Sequence, residues 1–289
     1  MDDRTAGSSA QAEYERRSAR HAEDVRRRRP RILAFGAVFA VGGVVVLLTV
    51  SPLWGGVVLL FDLVLVTSAL FATPNSITAW QTGAEGELRT GRLLEPLTAE
   101  GFRILHDRKI PGSRAANIDH IVIGPPGIFV VETKSLGGSL QIRGNDVLVA
   151  GRRKTKMIDE VKREALAVQT AFADEIAAHG WTVSPVICVH RADLPMFRSE
   201  VAGVRIVSGQ DLVKRLRTGD RVLSPADVER LATLAAARLR PAYVAPGTPA
   251  DQRSGEYASS SSVEVSRGKV VTRQPVRCVP DRGLPLFGA

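Results

Sequence analysis

Nineteen consecutive residues, Ile32 to Val50, carry no charged or strongly polar side chain. As a helix rising about 1.5 Å per residue, this run matches a hydrocarbon core of about 30 Å. Ser51-Pro52-Leu53-Trp54-Gly55-Gly56 breaks it, with Trp54 suited to a membrane interface. Val57 to Ala72 is a second apolar run, somewhat short unless Leu53 to Gly56 extend it. Residues 32–73 therefore read as a transmembrane helical hairpin. The arginines ahead of the first span predict a cytoplasmic N-terminus, and two spans return the remainder to the same side. The expected location is the cell membrane, multi-pass, with the large C-terminal part cytoplasmic. A signal peptide fits poorly, because the charged segment is long and the apolar run exceeds an ordinary signal core.

Residues 1–31 hold nine arginines and six acids, with Arg26 to Arg29 adjoining the membrane. The segment can be helical in part, but no apolar stripe supports a helix there, and it reads as a solvated basic cytoplasmic tail ending at anionic headgroups. A nucleic-acid-binding arm is the alternative. Within the second span stands one charge, Asp62. A carboxylate at mid-bilayer costs about 2.5–3.5 kcal/mol on insertion scales. It either makes a polar contact between protomers of a homo-oligomer or is protonated or hydrated in a shallow hairpin. No second intramembrane charge offers a proton relay. Gly36, Gly42 and Gly43 permit close helix packing, though none forms a Gly-x-x-x-Gly pair.

The soluble remainder carries most of the formal net charge of +9, which suits a polyanionic partner such as DNA. The two cysteines, Cys188 and Cys278, lack metal-binding spacing and fit a reduced compartment. The chemistry concentrates between Asn117 and Lys134. Ile121–Ile123 and Ile128–Val131 are β-branched and aromatic, and Gly124-Pro125-Pro126-Gly127 forces a reversal between them. Asp119 opens the first strand; Glu132-Thr133-Lys134 closes the second. Alternate strand side chains share a face, so Glu132 and Lys134 project together, and the hairpin can bring Asp119 beside Glu132. Paired carboxylates hold a hard cation such as Mg²⁺ or Mn²⁺, and a neighbouring ammonium stabilises charge. Taken alone, a Glu-x-Lys at a strand end is more often a solvated ion pair.

Other segments fall around this hairpin. Thr82 or Gly83 is expected to cap a helix running to Leu94, with Glu87, Gly91 and Leu94 on one face, and Pro96 ends it. Phe102–Asp107 alternates as a strand. His106 and His120 are read as packed or solvated, or as contacts to phosphate or metal; His120 should point away from Asp119. Gly137-Gly138 is read as a loop, followed by a hairpin turning at Gly144-Asn145-Asp146. Arg152, Arg153, Lys154 and Lys156 can hold a nucleic-acid backbone or form a solvated loop. Met157 to His179 is an amphipathic helix ended by Gly180, with Lys162 and Gln169 flanking its apolar stripe. Val183–His190 and Val204–Val207 read as strands, Gln210–Arg217 and Pro225–Leu239 as helices. Residues 246–289 read as a disordered tail, leaving 79–245 as the folded domain. No Walker A, Ser-His-Asp or zinc pattern occurs, and no small-molecule cofactor is expected.

Asp119-His120-Ile121-Val122-Ile123-Gly124 followed by Gly127-Ile128-Phe129-Val130-Val131-Glu132-Thr133-Lys134 resembles the nuclease-related domain (NERD) family, grouped with the PD-(D/E)xK nucleases. The likeness runs back to Gly83-Ala84-Glu85-Gly86-Glu87 and forward to about Gln169, over roughly residues 80–190. It implies an α/β, restriction-endonuclease-like αβββαβ core with a mixed sheet, and Mg²⁺-dependent hydrolysis of DNA. It further implies Asp119, Glu132 and Glu87 as metal ligands, with the Thr133 carbonyl as a possible addition. Lys134 then positions water or stabilises charge, and Gln169 is a supporting polar residue on the long helix. The family's Asn/Pro helix opening is absent, since Ile158-Asp159-Glu160-Val161 stands near that place. Two other classes remain open: a tethered nucleic-acid-binding or adaptor module without turnover, and a membrane-assembly protein acting through Asp62.

Overall fold

A computed structural model describes residues 6–113, 116–195 and 199–243. The expected disordered tail, 246–289, lies outside the described residues. The chain begins with a single helix, α1 (Ser8–Thr49), which continues through Pro30 into the apolar run. The basic segment is therefore helical over most of its length, further than the partial helix the sequence allowed. Ion pairs at helical spacing, Glu13 with Arg16 and Arg17 and Glu23 with Arg27, support it in place of an apolar stripe. Its first turn is also not solvated: Ala6 and Ala10 are buried.

The second helix, α2 (Pro52–Phe71), starts with proline in its first turn and folds back along α1. Small residues make this approach possible. A Cβ on Gly36 would meet Val66 at 2.6 Å, one on Gly43 would meet Leu59 at 2.8 Å, and one on Gly55 would strike the Leu47 backbone. Gly36 and Gly43 are seven apart, two helical turns, and so share a face. Asp62 lies at this helix–helix contact, within 3.7 Å of where a Gly36 Cβ would stand. The outer faces are bare: Phe35, Phe39, Leu48, Leu60, Phe61 and Leu63 are each more than 60% exposed. Both helices are long and apolar enough to cross a membrane, and their exposed faces call for an apolar surrounding.

Helix α3 (Asn75–Leu94) follows, and α1 packs against it. It begins a full two turns before the expected cap, so Thr82 and Gly83 are interior to it. Pro74 at the N-cap sets its start, and Pro96 falls in the 3-10 segment Glu95–Glu100 that ends it. The sheet then builds from β1 (Arg103–Lys109), β2 (Asn117–Gly124) and β3 (Gly127–Arg143) as an antiparallel meander. β3 continues through Gly137-Gly138, which is thus not a loop. The pair instead marks a register irregularity, with Gly138 at φ +90°. Its outer half pairs with β4 (Asp146–Val149), which pairs with the two-residue β5 (Arg152–Arg153).

The amphipathic segment is two helices, α4 (Lys156–Ala171) and α5 (Ala173–His179), separated at Phe172, with Gly180 capping in the left-handed region. Next, β6 (Val183–Asp193) runs parallel to β3. A short strand the sequence did not reveal, β7 (Glu200–Val201), pairs with β8 (Val204–Ser208), itself parallel to β6. Helices α6 (Gly209–Arg217) and α7 (Pro225–Arg238) finish the fold, the latter with a Ser224–Asp227 capping box. The sheet order is β1-β2-β3-β6-β8-β7, mixed, and α3-β1-β2-β3-α4-β6 follows the expected αβββαβ order.

The strands are buried on both faces, which is why they read as apolar runs rather than as clean alternations. One face carries Val122, Phe129, Val131 and Val186 under Leu94, Leu212 and Leu216. The other carries Ile121, Ile123, Ile128 and Val130 with Val161, Val168 and Leu231. At the β2–β3 turn a Cβ on Gly124 would lie 1.9 Å from the Phe102 ring, itself 3% exposed. Gly124→Ala must displace that ring, and overpacking of this kind costs about 1–3 kcal/mol. Thermal unfolding of the detergent-solubilised chain should move to lower temperature in Gly124→Ala, whereas Gly137→Ala, where a Cβ meets nothing, should shift little.

Candidate active site

The β2–β3 ladder pairs His120 with Val131. One step further, the same register sets Asp119 opposite Glu132. Asp119 Oδ2 accepts the Thr133 backbone N–H at 2.8 Å, which fixes the carboxylate at the mouth of the hairpin. Glu132 and Lys134 share a face as expected, and Lys134 Nζ donates to Glu132 Oε1 at 2.7 Å. Lys134 Nζ also reaches Glu160 Oε2 on α4 at 3.1 Å. One turn on, Glu164 is 6% exposed and hydrogen-bonded to Glu132, while its Oε2 is buried without a partner.

Glu87 enters from α3. Gly86 makes this possible, because a Cβ there would sit 2.2 Å from Ser135 Oγ and 3.3 Å from Thr133 Cγ2. The helix therefore lies close on β3, and Glu87 shares a cleft of about 930 Å³ with Asp119, Glu132, Lys134, Glu160 and Glu164. The hairpin, the α3 acid and the α4 face thus converge as the sequence predicted for Glu87, Asp119, Glu132 and Lys134.

Two predicted groups do not join them. Gln169 is exposed on α4, more than a turn beyond the cleft, and is absent from its lining. Glu160 and Glu164, on the same helix, line the cleft in its place. The available signal was Glu164 itself: it falls between Val161 and Ala165, within the apolar stripe. Nor do Arg152, Arg153, Lys154 and Lys156 line the cleft; Arg153 pairs with Asp146 on the β4–β5 hairpin. Among the described residues the cleft is lined by one arginine, Arg163, which the sequence reading passed over.

The histidines lie on the opposite side of the strands. His106 Nδ1 and His120 Nδ1 are 2.8 Å apart, and His120 Nε2 is 3.4 Å from Thr133 Oγ1. Thr133 Oγ1 donates to Thr90 Oγ1, which is 2.8 Å from His190 Nε2. Burial lowers all three histidines, His106 to about 4, so they are neutral at pH 7. This buried chain pins Thr133, whose N–H holds Asp119, and its histidines are not part of the cleft lining.

The cleft is overloaded with acid. Burial, then Asp107 and Glu132, push Glu87 up to about 8. Burial and Glu132 push Glu164 up to about 10 and raise Asp119 well above the carboxylate range. Burial alone would lower Lys134, but Glu132 and Glu160 outweigh it and hold the ammonium above the usual lysine range. Among the described residues no three His, Cys, Asp or Glu side chains form a ready-made ligand cluster. Yet the donors are all hard carboxylate oxygens, several kept protonated by burial and then by mutual repulsion, and the Glu164 Oε2 lacks a partner. That donor set fits a hard divalent cation.

The raised acids make stability depend on pH. Each holds a proton in the folded chain that the unfolded chain releases near 4.5, so folding is favoured at acid pH. That advantage is lost as pH rises through about 8 for Glu87 and about 10 for Glu164. Thermal melts of the metal-stripped chain should therefore fall between pH 5 and pH 9. Glu164→Gln, which keeps the bond to Glu132, should flatten the alkaline part, and added Mg²⁺ should raise the alkaline melts most.

Three comparisons with known proteins bear on this geometry. Residues 82–190 match the profile of the nuclease-related domain family. An uncharacterized protein of Bacillus anthracis is 35% identical over 88 residues, 28% of this chain and 40% of that protein. The chain thus spans less than half the length of the curated relative it matches. No solved structure matches. The matched segment, which is similar to nuclease-related domains, contains Glu87, Asp119, Glu132, Lys134 and Glu164 together.

Proposed function

We propose that the chain is a membrane-anchored nuclease that hydrolyses DNA phosphodiester bonds with Mg²⁺ or Mn²⁺. The observation that carries this reading is the meeting of Asp119, Glu132 and Lys134 with Glu87 in one cleft. Asp119 and Glu132 would hold the cation, with Glu87 facing it from α3. When bound, such a cation lowers the pKa of a water and polarises the phosphodiester. Asp119 is pre-aimed by the Thr133 N–H, so little reordering is needed at that ligand. Lys134 stays cationic at all working pH values, which suits orienting a water and stabilising phosphorane charge rather than removing a proton. Glu160 and Glu132 hold it from two sides, so its ammonium points into the cleft. Arg163 supplies a second positive group for a phosphate.

The membrane part of the reading draws on the two exposed apolar helices. Ser9, at the start of α1, bonds to Asp107 in the sheet, and α3 re-enters the same domain after α2. Both ends of the hairpin therefore meet one domain, which supports placing them on one side of a bilayer. The Arg26–Arg31 cluster favours the cytoplasmic side.

A second reading, a tethered DNA-binding module without turnover, is favoured by the tie of Lys134 to both Glu132 and Glu160, which leaves no preformed ligand set. Incubation of the detergent-solubilised chain with linear, circular and single-stranded DNA separates the two. Cleavage is expected with Mg²⁺ or Mn²⁺, absent with chelator, and reduced roughly hundredfold or more in Glu132→Ala. Salt-sensitive binding without cleavage, unchanged in Glu132→Ala, would establish the binding module instead.

A further inference from the structure

The N-terminal turn of the membrane helix is built into the cleft. Ser9 and Ala10 line it beside Glu87 and Asp119. Ser9 donates twice to the Asp107 carboxylate, from its backbone N–H and from Oγ, each at 2.7 Å, and Asn117 Nδ2 donates to Ser9 Oγ at 3.1 Å. Gly7 is left-handed at φ +75°, and a Cβ there would stand 3.2 Å from both the Ala84 carbonyl oxygen and Glu87 Cβ. Ala6 fills the notch over Gly91, where a Cβ would be 2.5 Å away. The run Ala6-Gly7-Ser8-Ser9-Ala10 is thus small throughout and seated on the helix that carries Glu87.

Asp107 occupies a place that matters to the site. It lies in β1 between the pairs His106↔His120 and Arg108↔Ile118, across from Asp119, with a left-handed φ of 51° and 5% exposure. An acid buried there repels the Glu87 carboxylate. The first turn of α1 answers this with its positive end, since a helix N-terminus presents unpaired N–H groups and favours a carboxylate. A distant acid capping a helix accounts for the Ser9 bonds alone. It does not account for Gly7 seated on Glu87 or for Ser9 and Ala10 facing the cleft.

We propose that the first turn of α1 is a wall of the active cleft, and that Ser9 is a positioning residue which draws Asp107 away from the cation ligands and fixes Glu87 toward them. Because α1 runs unbroken to Thr49, this wall is continuous with the apolar hairpin. The inference rests on the cleft being a divalent-cation site, as proposed above.

The test uses the full chain in detergent with Ser9→Ala, Ser9→Thr, Gly7→Val and, as a control on α1 outside the cleft lining, Gln11→Ala. Mn²⁺ affinity is read by electron paramagnetic resonance, and kcat and KM on linear DNA are read separately. Ser9→Ala should weaken Mn²⁺ about tenfold, the scale of lost support behind a metal ligand. It should lower kcat with KM little changed, at an unaltered melting temperature. Ser9→Thr keeps the hydroxyl and should restore both; Gly7→Val should act like Ser9→Ala or more strongly; Gln11→Ala should match wild type. Wild-type Mn²⁺ affinity in Ser9→Ala, or equal losses in Ser9→Ala and Ser9→Thr, would overturn the proposal, as would a wild type that binds no Mn²⁺. A wild type that binds Mn²⁺ yet cleaves no DNA would defeat the nuclease reading alone, and the affinities would still decide the role of Ser9.

Discussion

The antiparallel register of β2 on β3 is the constraint on which the site depends. It places Asp119 against the Thr133 N–H and sends Glu132 and Lys134 to the same face. A slip of one residue would turn the acids into the apolar layer beneath α3 and the valines into the cleft. Both faces of these strands are buried, so such a slip is strongly disfavoured, and the Gly124–Gly127 turn beneath Phe102 pins the register at its closed end. The neutral chain from His106 through His120 and Thr133 to Thr90 and His190 adds directional bonds on the far face. Fold and site are thus specified by the same strand pair.

The second organising term is charge. Glu87, Asp119, Glu132, Glu160 and Glu164 crowd one cleft whose lysine bridges only Glu132 and Glu160. A cluster of this kind is destabilising by itself, and a fold retains it where a cation or a reaction makes use of it. Asp107 would add a further acid, and the N-terminal turn of α1 meets it with two hydrogen bonds. The first apolar helix and the cleft are therefore joined at this carboxylate as well as along α3.

Much of this was legible in the sequence, for physical reasons that differ from element to element. The hairpin showed itself because β-branched runs flank a turn that cannot extend. The apolar helices showed themselves because length and absence of charge leave few alternatives. Asp119, Glu132 and Lys134 were singled out by strand alternation; Glu87 came from the family likeness, which the match over residues 82–190 supports, because helical spacing alone favoured an acid that only complements the helix dipole. Gln169 failed because a residue flanking an apolar stripe was preferred to one inside it, and the buried Glu164 was the stronger signal. The start of α3 was misplaced because Thr82 and Gly83 look like a cap, while the preceding polar turns carry no stripe of their own. The docking of Ala6 to Ala10 left no trace in periodicity: it depends on small side chains meeting Gly91 and on an acid 98 residues away.

The proposed cation site is the centre of this account, and a search for a bound ion there is the most direct measurement. Crystals of the full chain soaked in Mn²⁺ and measured at the manganese absorption edge would show its position without reference to activity. An anomalous peak within about 2.1 Å of carboxylate oxygens of Asp119 and Glu132 is the predicted result. A cleft without a peak at saturating Mn²⁺, with Lys134 still bridging Glu132 and Glu160, would contradict a metal-dependent site and leave the domain a binding module.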